Sequence, residues 1–263
     1  MERDSPFSGD AGREAVPPWN RDYYEHGGGD AFLFYVVYGE IDTQAPLVRS
    51  IYRTEGIPAE LDVMSYGPGS HPEVPRSFRD GYLWDKLQAV KPEFAKTVAG
   101  EDRCLVLRGD FPDRDNLNYL RDTVGLITYL LDNGGVGVYD PQMFEWWTPG
   151  EWRTRFFEPD GPLPRRHVTI LISGDKDGTE WIHSRGMRKF GRPDLSVPGV
   201  TLGLRDGVID LCQRFIEFQG LGGVIAEGQE VRMASLPEGL VCRHGGDLDD
   251  PEFNNVHVRI ARE

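Results

Sequence analysis

The middle of the chain constrains the fold most, because strand and helix patterns alternate there within a short distance. RCLVLRGD, at residues 103–110, and GVGVYDP, at residues 135–141, both have the apolar content of a buried strand. Between them, apolar residues recur every three or four positions and so line one face of a helix. These residues are Leu117, Leu120, Val124, Ile127 and Leu131, with Asn133 and Gly134 after them as a left-handed stop. The β-α-β succession predicts α/β or ferredoxin-like layering.

The following patterns continue this alternation and then change to short strands. A helix is predicted to begin in TPGEWRTRFF, because Thr148 precedes Glu151 by three residues and Pro149 takes the first helical position. Residues 166–174 are typical of a strand, residues 207–220 of a helix, and the C-terminal segment of short strands. We therefore predict an α+β fold, with mixed sheets and packed helices in repeated β-α-β units and a β-rich C-terminal segment.

Composition along the chain suggests three parts. Residues 1–30 are rich in proline, glycine and charge, which predicts a flexible N-terminal arm. Residues 31–160 then form an α/β-type part, and residues 161–263 an α+β part. PDGPLP, at residues 159–164, is either a domain boundary or a loop within one domain.

The charge balance narrows the class of partner. The chain has 29 basic and 43 acidic residues, for a net charge of −14. Such a surface would be repelled by the phosphates of nucleic acid, so we expect no nucleic-acid partner. The acidity fits plain solubility, and it equally fits electrostatic steering toward a basic partner protein. No pattern indicates an oligomeric state.

The compartment and the cofactors are constrained by patterns that are missing. No apolar run approaches the roughly 20 residues of a membrane helix, and the N-terminus has no apolar signal region. The three cysteines, Cys104, Cys212 and Cys242, are odd in number and far apart, which fits a reducing cytoplasm better than disulfides or structural zinc. The phosphate-binding, nucleophile-elbow and zinc-protease motifs are not found, so we predict no cofactor and no metal.

A basic segment, residues 181–192, is the first candidate site. Its pattern fits a helix over residues 179–190, which would place His183 among apolar neighbours and Trp181 on the opposite face. The candidate binding residues for an anion are Trp181, Arg185, Arg188 and Arg192, because guanidinium groups suit carboxylates and phosphates. The same arginines could instead pair with the chain's own carboxylates. His183 is either a packed histidine or a catalytic base.

An acidic segment, residues 243–257, is the second candidate site. Its composition fits a tight turn between strands, and its histidines and carboxylates match no standard metal spacing. An acidic contact surface is the functional interpretation that we favour. The candidate contact residues are Asp247, Asp249, Asp250 and Glu252, and His244 is a second candidate for proton transfer.

Tryptophans are concentrated in the third candidate site. Trp146, Trp147 and Trp152 lie in MFEWWTPGEWRTRFF, and the chain has only six tryptophans. Such residues usually belong to a core, but exposed tryptophan beside arginine is also typical of interface anchors. We therefore include all three as candidate partner contacts.

Three phrases resemble an uncharacterised family of bacterial proteins that carry a domain of unknown function. They are LNYLRDTVGLITYLLDNGGVGVYDPQ, FFEP followed by RRHVTILIS, and EWIHSRGMRKFGRPDL, and together they cover about residues 100–200. Some members of such families have genes for secreted toxins as neighbours and are suspected immunity proteins. The resemblance implies a soluble bacterial protein and favours a binding role, but it assigns no active-site residues.

Two functional hypotheses remain open from the sequence. The first is a cytoplasmic protein-binding protein, in the form of an immunity protein that neutralises a basic toxin through an acidic surface. The alternative is an enzyme in which the arginines of the basic segment hold a small anionic substrate and His183 or His244 moves protons. A structural subunit whose acidity serves solubility alone is the third interpretation.

Overall fold

A computed structural model describes residues 16–174 and 177–262 and shows an α+β protein. The ordered elements form two compact units. The first unit holds the described residues up to Trp19 together with residues 34–109 and 118–160. The second holds residues 20–33 and 110–117 and the described residues from Gly161 onward. None of the described helices is both long and apolar enough to cross a bilayer.

A five-stranded sheet lies mainly in the first unit. Its strands are β1 (Ala31–Gly39), β2 (Leu61–Tyr66), β3 (Cys104–Phe111), β4 (Gly135–Asp140) and β5 (Glu145–Trp147), in the order β2-β3-β1-β4-β5. The helices are α1 (Arg49–Tyr52), α2 (Val74–Ser77), α3 (Tyr82–Val90), α4 (Pro92–Ala99), α5 (Asn118–Asp132) and α6 (Pro149–Trp152). A π-helical turn, Arg153–Phe157, continues α6.

The predicted β-α-β succession is confirmed as β3, α5 and β4. The Gly39 N–H at the end of β1 donates to the carbonyl of Arg103, just before β3, and Gly39 also pairs with Gly135 at the start of β4. Both strands therefore begin beside the same end of β1, run in one direction and flank it. The five apolar residues predicted for one helix face are all buried. Residues 119–131 of α5 are all buried, so the rest of the unit covers this helix on every side and not along the stripe alone.

Close backbone approach fixes the return from α5 into β4. Gly39 and Gly134 have φ values of 138° and 115°. A Cβ atom on Gly39 would lie 2.2 Å from the Gly134 carbonyl oxygen, and one on Gly134 would lie 2.3 Å from the Glu40 carbonyl oxygen. Only glycine fits either position, both by conformation and by space.

The second unit contains a six-stranded sheet. Its strands are β6 (Thr169–Gly174), β7 (Glu180–Arg185), β8 (Asp194–Val200), β9 (Glu230–Val231), β10 (Leu240–Gly245) and β11 (His257–Arg262), in the order β6-β7-β8-β11-β10-β9. β8 and β11 are parallel, and the other neighbours are antiparallel. The helix α7 (Arg205–Gly220) packs on β7 and β8. Ile182, Val197 and Ile260 are buried on this sheet.

The helix predicted over residues 179–190 is wrong. This stretch forms β7 and then a 3-10 turn, Met187–Phe190. β7 pairs with β6 on one side and β8 on the other, so a sheet satisfies the backbone that a helix would have satisfied alone. The apolar residues are too few to separate the period of a strand from that of a helix. Residues at every second position, rather than every third or fourth, therefore share a face.

The described part of the expected N-terminal arm is also more ordered than the sequence suggested. Residues 1–15 lie outside the described residues. Trp19 is buried and its backbone N–H donates to Asn118 Oδ1 at 2.9 Å, and Arg21 is buried in the second unit. The division between units at Asp160 and Gly161 falls within PDGPLP, but the second unit also takes in residues 20–33 and 110–117.

The predicted capping box is confirmed at α6 and supports a stability prediction. The Thr148 hydroxyl accepts a hydrogen bond from the Glu151 backbone N–H, and the Glu151 carboxylate accepts one from the Thr148 N–H. Thr148→Ala should lower the free energy of unfolding by about 1 kcal/mol, because the first turn loses a side-chain acceptor. Urea denaturation measures this change.

Thr97→Ala is the matched control. Thr97 is exposed in α4 and donates only to the Glu93 carbonyl within that helix, so alanine should be neutral or slightly stabilising. An equal loss of stability in both variants would contradict the capping role of Thr148.

Candidate functional site

Strand β7 places Trp181, His183 and Arg185 on one face of its sheet. Because the side-chain period of a strand is two, Trp181 and His183 are neighbours, and their rings stack with centroids 3.9 Å apart and an interplanar angle of 19°. The Trp181 Nε1–H donates to Ser196 Oγ on β8 at 2.9 Å. The prediction that Trp181 and His183 lie on opposite faces is therefore wrong.

The loop between β10 and β11 covers this face. We call residues 246–256 the acidic loop. Its Phe253 is buried, stands edge-on to the rings of Trp181 and His183, and stacks on His257 with centroids 4.5 Å apart. Four rings thus form one continuous cluster. His183 is buried within this cluster, as one of the two interpretations of its sequence environment expected.

The arginines of the basic segment bind the acidic loop through its backbone. The Arg185 guanidinium donates to the Glu252 carbonyl oxygen. Arg188 donates to the Asn254 carbonyl oxygen at 3.1 Å and lies over the ring of Phe32 at 4.5 Å. The two segments that the sequence singled out therefore meet. They meet through carbonyl groups, so these two hydrogen bonds do not involve the loop's carboxylates.

Arg192 has a different set of partners inside the second unit. Only 2% of its surface is exposed. It donates to the carbonyl oxygens of Gly222 at 2.8 Å, Gly223 at 3.1 Å and Glu25 at 3.2 Å, and to Asp113 Oδ1 at 2.9 Å. A guanidinium whose donors point at five main-chain and carboxylate oxygens, its neighbour Gly191 included, is a structural crosslink.

Asp113 joins this crosslink to a second arginine. The Arg21 guanidinium donates to Asp113 Oδ1 at 3.0 Å, and the Gly28 N–H donates to Oδ2 at 3.1 Å. The backbone beside it is equally tight, because a Cβ atom on Gly191 would lie 2.1 Å from the Gly29 carbonyl oxygen. Gly191 thus permits a close approach as well as ending the 3-10 turn.

These contacts remove Arg192 from the anion clamp that the sequence suggested. Trp181, Arg185 and Arg188 do lie near one another around the acidic loop, but Arg192 belongs to the Asp113 network. The guanidinium groups of Arg185 and Arg192 are buried and donate to oxygens of the protein itself. The hydrogen bonds of Arg192 use all of its N–H groups, so this side chain holds the fold and has no donor left for a substrate.

A buried carboxyl group lies beside the ring cluster. Asp194 Oδ1 accepts hydrogen bonds from Ser184 Oγ at 2.7 Å and from the Met187 N–H at 3.3 Å, and Oδ2 accepts one from Asn255 Nδ2 at 2.9 Å. Burial raises the pKa of Asp194 to about 6, although these hydrogen bonds and Arg185 oppose the shift. Asn255 also donates to the Arg192 carbonyl oxygen, which ties the acidic loop to the start of β8.

His183 and Arg185 experience the same low-dielectric environment. Burial, helped by the positive charge of Arg185, lowers the pKa of His183 to about 4, while a hydrogen bond with the Trp181 backbone works in the opposite direction. Burial also lowers the pKa of Arg185. His183 is therefore neutral near pH 7 and is better suited to packing than to accepting and releasing protons.

The acidic loop has a defined backbone and an exposed surface. Asp247 Oδ1 accepts a hydrogen bond from the Asp249 N–H at 2.9 Å, and Asp250 Oδ1 accepts from Glu252 N at 2.8 Å and Phe253 N at 3.1 Å. Asp250 is half-buried, whereas Asp247, Asp249 and Glu252 are exposed. Two apolar side chains are also exposed on this loop, Leu248 by 52% and Val256 by 39%.

The second proton-transfer candidate, His244, lies on β10 and is exposed. Its Nε2 lies 2.8 Å from the Ile225 carbonyl oxygen, which fixes Nε2–H as the donor, and its backbone N–H donates to Glu227. These contacts orient the ring toward a main-chain oxygen. No group of three or more histidine, cysteine, aspartate or glutamate side chains in the described part of the chain is placed to hold a metal ion.

The tryptophan-rich segment mostly belongs to the core of the first unit. Trp146 is buried and stacks on Tyr139 with centroids 4.4 Å apart, and Trp152 is buried with its Nε1–H donated to Thr128 Oγ1 at 3.2 Å. Both are wrong as partner anchors. Trp147 is half-buried under the guanidinium of Arg155, which lies 5.0 Å from its ring.

Opposed pKa shifts at His183 and Asp194 predict opposite effects of pH on stability. Because the pKa of His183 falls from 6.5 to about 4 on folding, this residue destabilises the folded protein as the pH drops from 6.5 to 4. Because the pKa of Asp194 rises from 3.8 to about 6, this residue stabilises the folded protein as the pH drops from 6 to 3.8. Between pH 7 and pH 4, His183→Gln should gain about 3 kcal/mol of unfolding free energy relative to the wild type, and Asp194→Asn should lose about 2 kcal/mol. Urea denaturation at several pH values tests this. If the unfolding free energy of both variants depends on pH as it does in the wild type, the pKa shifts of His183 and Asp194 are contradicted.

The crosslink at Asp113 predicts a large loss of stability on neutralisation. Asp113→Asn should lower the free energy of unfolding by about 3 kcal/mol, because two buried guanidinium groups lose their counter-charge. Asp210→Asn is the matched control, since Asp210 pairs with Arg214 on the exposed face of α7 and should cost less than about 0.5 kcal/mol. Chemical denaturation measures both, and similar small losses would show that the Asp113 network is dispensable.

Comparisons with models of protein families, with curated proteins and with solved structures find no match to this chain. The resemblance to an uncharacterised bacterial family therefore stays a prediction, and the functional argument rests on the geometry of the acidic loop.

Proposed function

We propose that the chain is a protein-binding protein that recognises a basic partner through the acidic loop. The observation that carries this proposal is Leu248, which is 52% exposed between the exposed carboxylates of Asp247 and Asp249. An apolar side chain ringed by charges of one sign is the usual arrangement of an interface, with an anchor surrounded by a polar rim. The family resemblance favours one form of this function, a cytoplasmic immunity protein that neutralises a basic toxin.

The fixed backbone of the loop supports this proposal. Phe253 and Asn255 are buried, Arg185 and Arg188 hold the carbonyl groups of Glu252 and Asn254, and the Asp250 carboxylate closes the turn. A loop that is already ordered loses little conformational entropy when it binds. The same contacts are made to the backbone, so the outward carboxylates remain available.

The overall charge supports it further. A net charge of −14 and an acidic loop attract a basic partner before contact, which raises the association rate and orients the approach. The enzyme alternative lacks comparable support, because the donors of Arg192 bind the protein's own oxygens, Arg185 is buried against the Glu252 carbonyl group, and His183 is a packed, neutral ring.

The experiment tests purified products of neighbouring genes, one by one, for binding in solution and by surface plasmon resonance. For a product that binds, the combined variant Asp247→Asn, Asp249→Asn and Glu252→Gln should slow association by about tenfold at low salt. Leu248→Ala should instead speed dissociation by about tenfold, because it removes the apolar anchor. Asp250 is left intact, since its carboxylate holds the loop.

The matched control carries the same change of charge elsewhere. Asp62→Asn, Asp85→Asn and Glu93→Gln neutralise three exposed carboxylates of the first unit. They should leave both rate constants nearly unchanged. Equal slowing by the two combined variants would show a nonspecific effect of net charge, and the absence of a complex with every neighbouring product would count against a protein-binding function.

A further inference from the structure

An apolar cavity of about 640 Å³ lies in the second unit where two strands of the sheet separate. β8 and β11 pair in parallel only over residues 194–196 and 257–259. β8 then continues to Val200 and β11 to Arg262, with no further pair joining them in the described part of the chain. The outer partners remain, because β7 still pairs with Val200 and β10 with Arg262. The sheet therefore separates between its two central strands, while the strands on either side remain paired.

The sequence of β8 explains the separation. Pro198 has no backbone N–H and so cannot donate to a neighbouring strand. Gly199 follows with a φ of 68°, a conformation that turns the chain away from the extended path. Pro198 and Gly199 therefore prevent the β8–β11 hydrogen bonding from continuing, and the two strands separate at this point.

The walls of this cavity are mainly aliphatic. Side chains from β8, β10, β11 and the start of α7 line it, among them Val197, Val200, Leu204, Val208, Leu240 and Ile260. Its volume falls within the range of sites that bind small organic molecules. A ligand that fills it would bury hydrocarbon against these side chains.

Among the residues that the structure describes, one charged side chain lines the cavity, and its charge is positive. Arg262 lines it and is exposed, and none of the lining residues is acidic. No carboxylate in residues 16–174 or 177–262 forms an ion pair with Arg262, although the chain has 43 acidic residues. The hydroxyl groups of Thr201 and Ser235 line the same cavity. A guanidinium that no carboxylate of the described residues pairs with, beside an aliphatic cavity, complements a molecule with one anionic end and an apolar body.

We propose that this cavity binds a small amphipathic monocarboxylate, with the carboxylate at Arg262 and the hydrocarbon chain among the aliphatic walls. The guanidinium supplies the paired donors that a carboxylate accepts, and the separation of β8 from β11 supplies the space. This site is independent of the acidic loop, so the proposal does not rest on the protein-binding function.

Isothermal titration calorimetry with octanoate tests the proposal on the full chain. Octanoate should bind saturably at one site, and Arg262→Gln should weaken it by about tenfold or more, because the charged pair is lost. The neutral analogue 1-octanol should bind the wild type and Arg262→Gln with equal affinity. Circular dichroism confirms that the variants are folded.

Two further variants separate this site from general effects. Arg259→Gln removes another exposed arginine of β11 that does not line the cavity, so octanoate affinity should be unchanged. Ala234→Trp adds a large side chain at an exposed lining position and should weaken both ligands. The proposal is overturned if the wild type shows no saturable binding of octanoate, or if Arg262→Gln binds it no more weakly than Arg259→Gln does.

Discussion

The second unit depends on a carboxylate that is shared by two buried arginines. Asp113 accepts hydrogen bonds from Arg21 and Arg192, so it links three segments that are far apart in the chain. A buried guanidinium group is costly unless its charge is compensated, and Asp113 supplies the counter-charge for both arginines. Here the remaining donors of Arg192 reach the Gly222 and Gly223 carbonyl oxygens, which also fixes the end of α7. Arg192, from the basic segment, thus links segments inside the second unit.

A second consequence follows from which oxygens the arginines use. Arg185 and Arg188 donate to carbonyl groups of the acidic loop, while the ring cluster around Phe253 packs its underside. The loop is therefore held without neutralising its outward carboxylates. If the same arginines had formed ion pairs with those side chains, the loop would have been equally rigid, but its negative charge would have been largely neutralised. Fixation through the backbone is what allows one segment to be both ordered and strongly acidic.

Prediction from sequence is accurate where the pattern depends on residues that are close in the chain. The stripe on α5 and the capping box at Thr148 depend on residues a few positions apart, and both were correct. Residues 179–190 were assigned to the wrong element, because a six-residue strand contains too few periods and its pairing partners are distant. The Asp113–Arg192 contact spans 79 positions, and nothing local marks either residue as its partner. The burial of Trp146 was open from sequence alone, since tryptophan suits both cores and interfaces.

Both candidate binding regions lie at the ends of one short parallel ladder. β8 and β11 share three residue pairs, so the first and last pairs of this ladder are only about 7 Å apart along the strands. The acidic loop enters β11 at one end, where Asn255 bonds to Asp194. At the other end Pro198 and Gly199 prevent further pairing, and the aliphatic cavity takes the place of the missing ladder. A longer ladder would have closed that cavity, so the sheet's incomplete pairing is the feature that creates it.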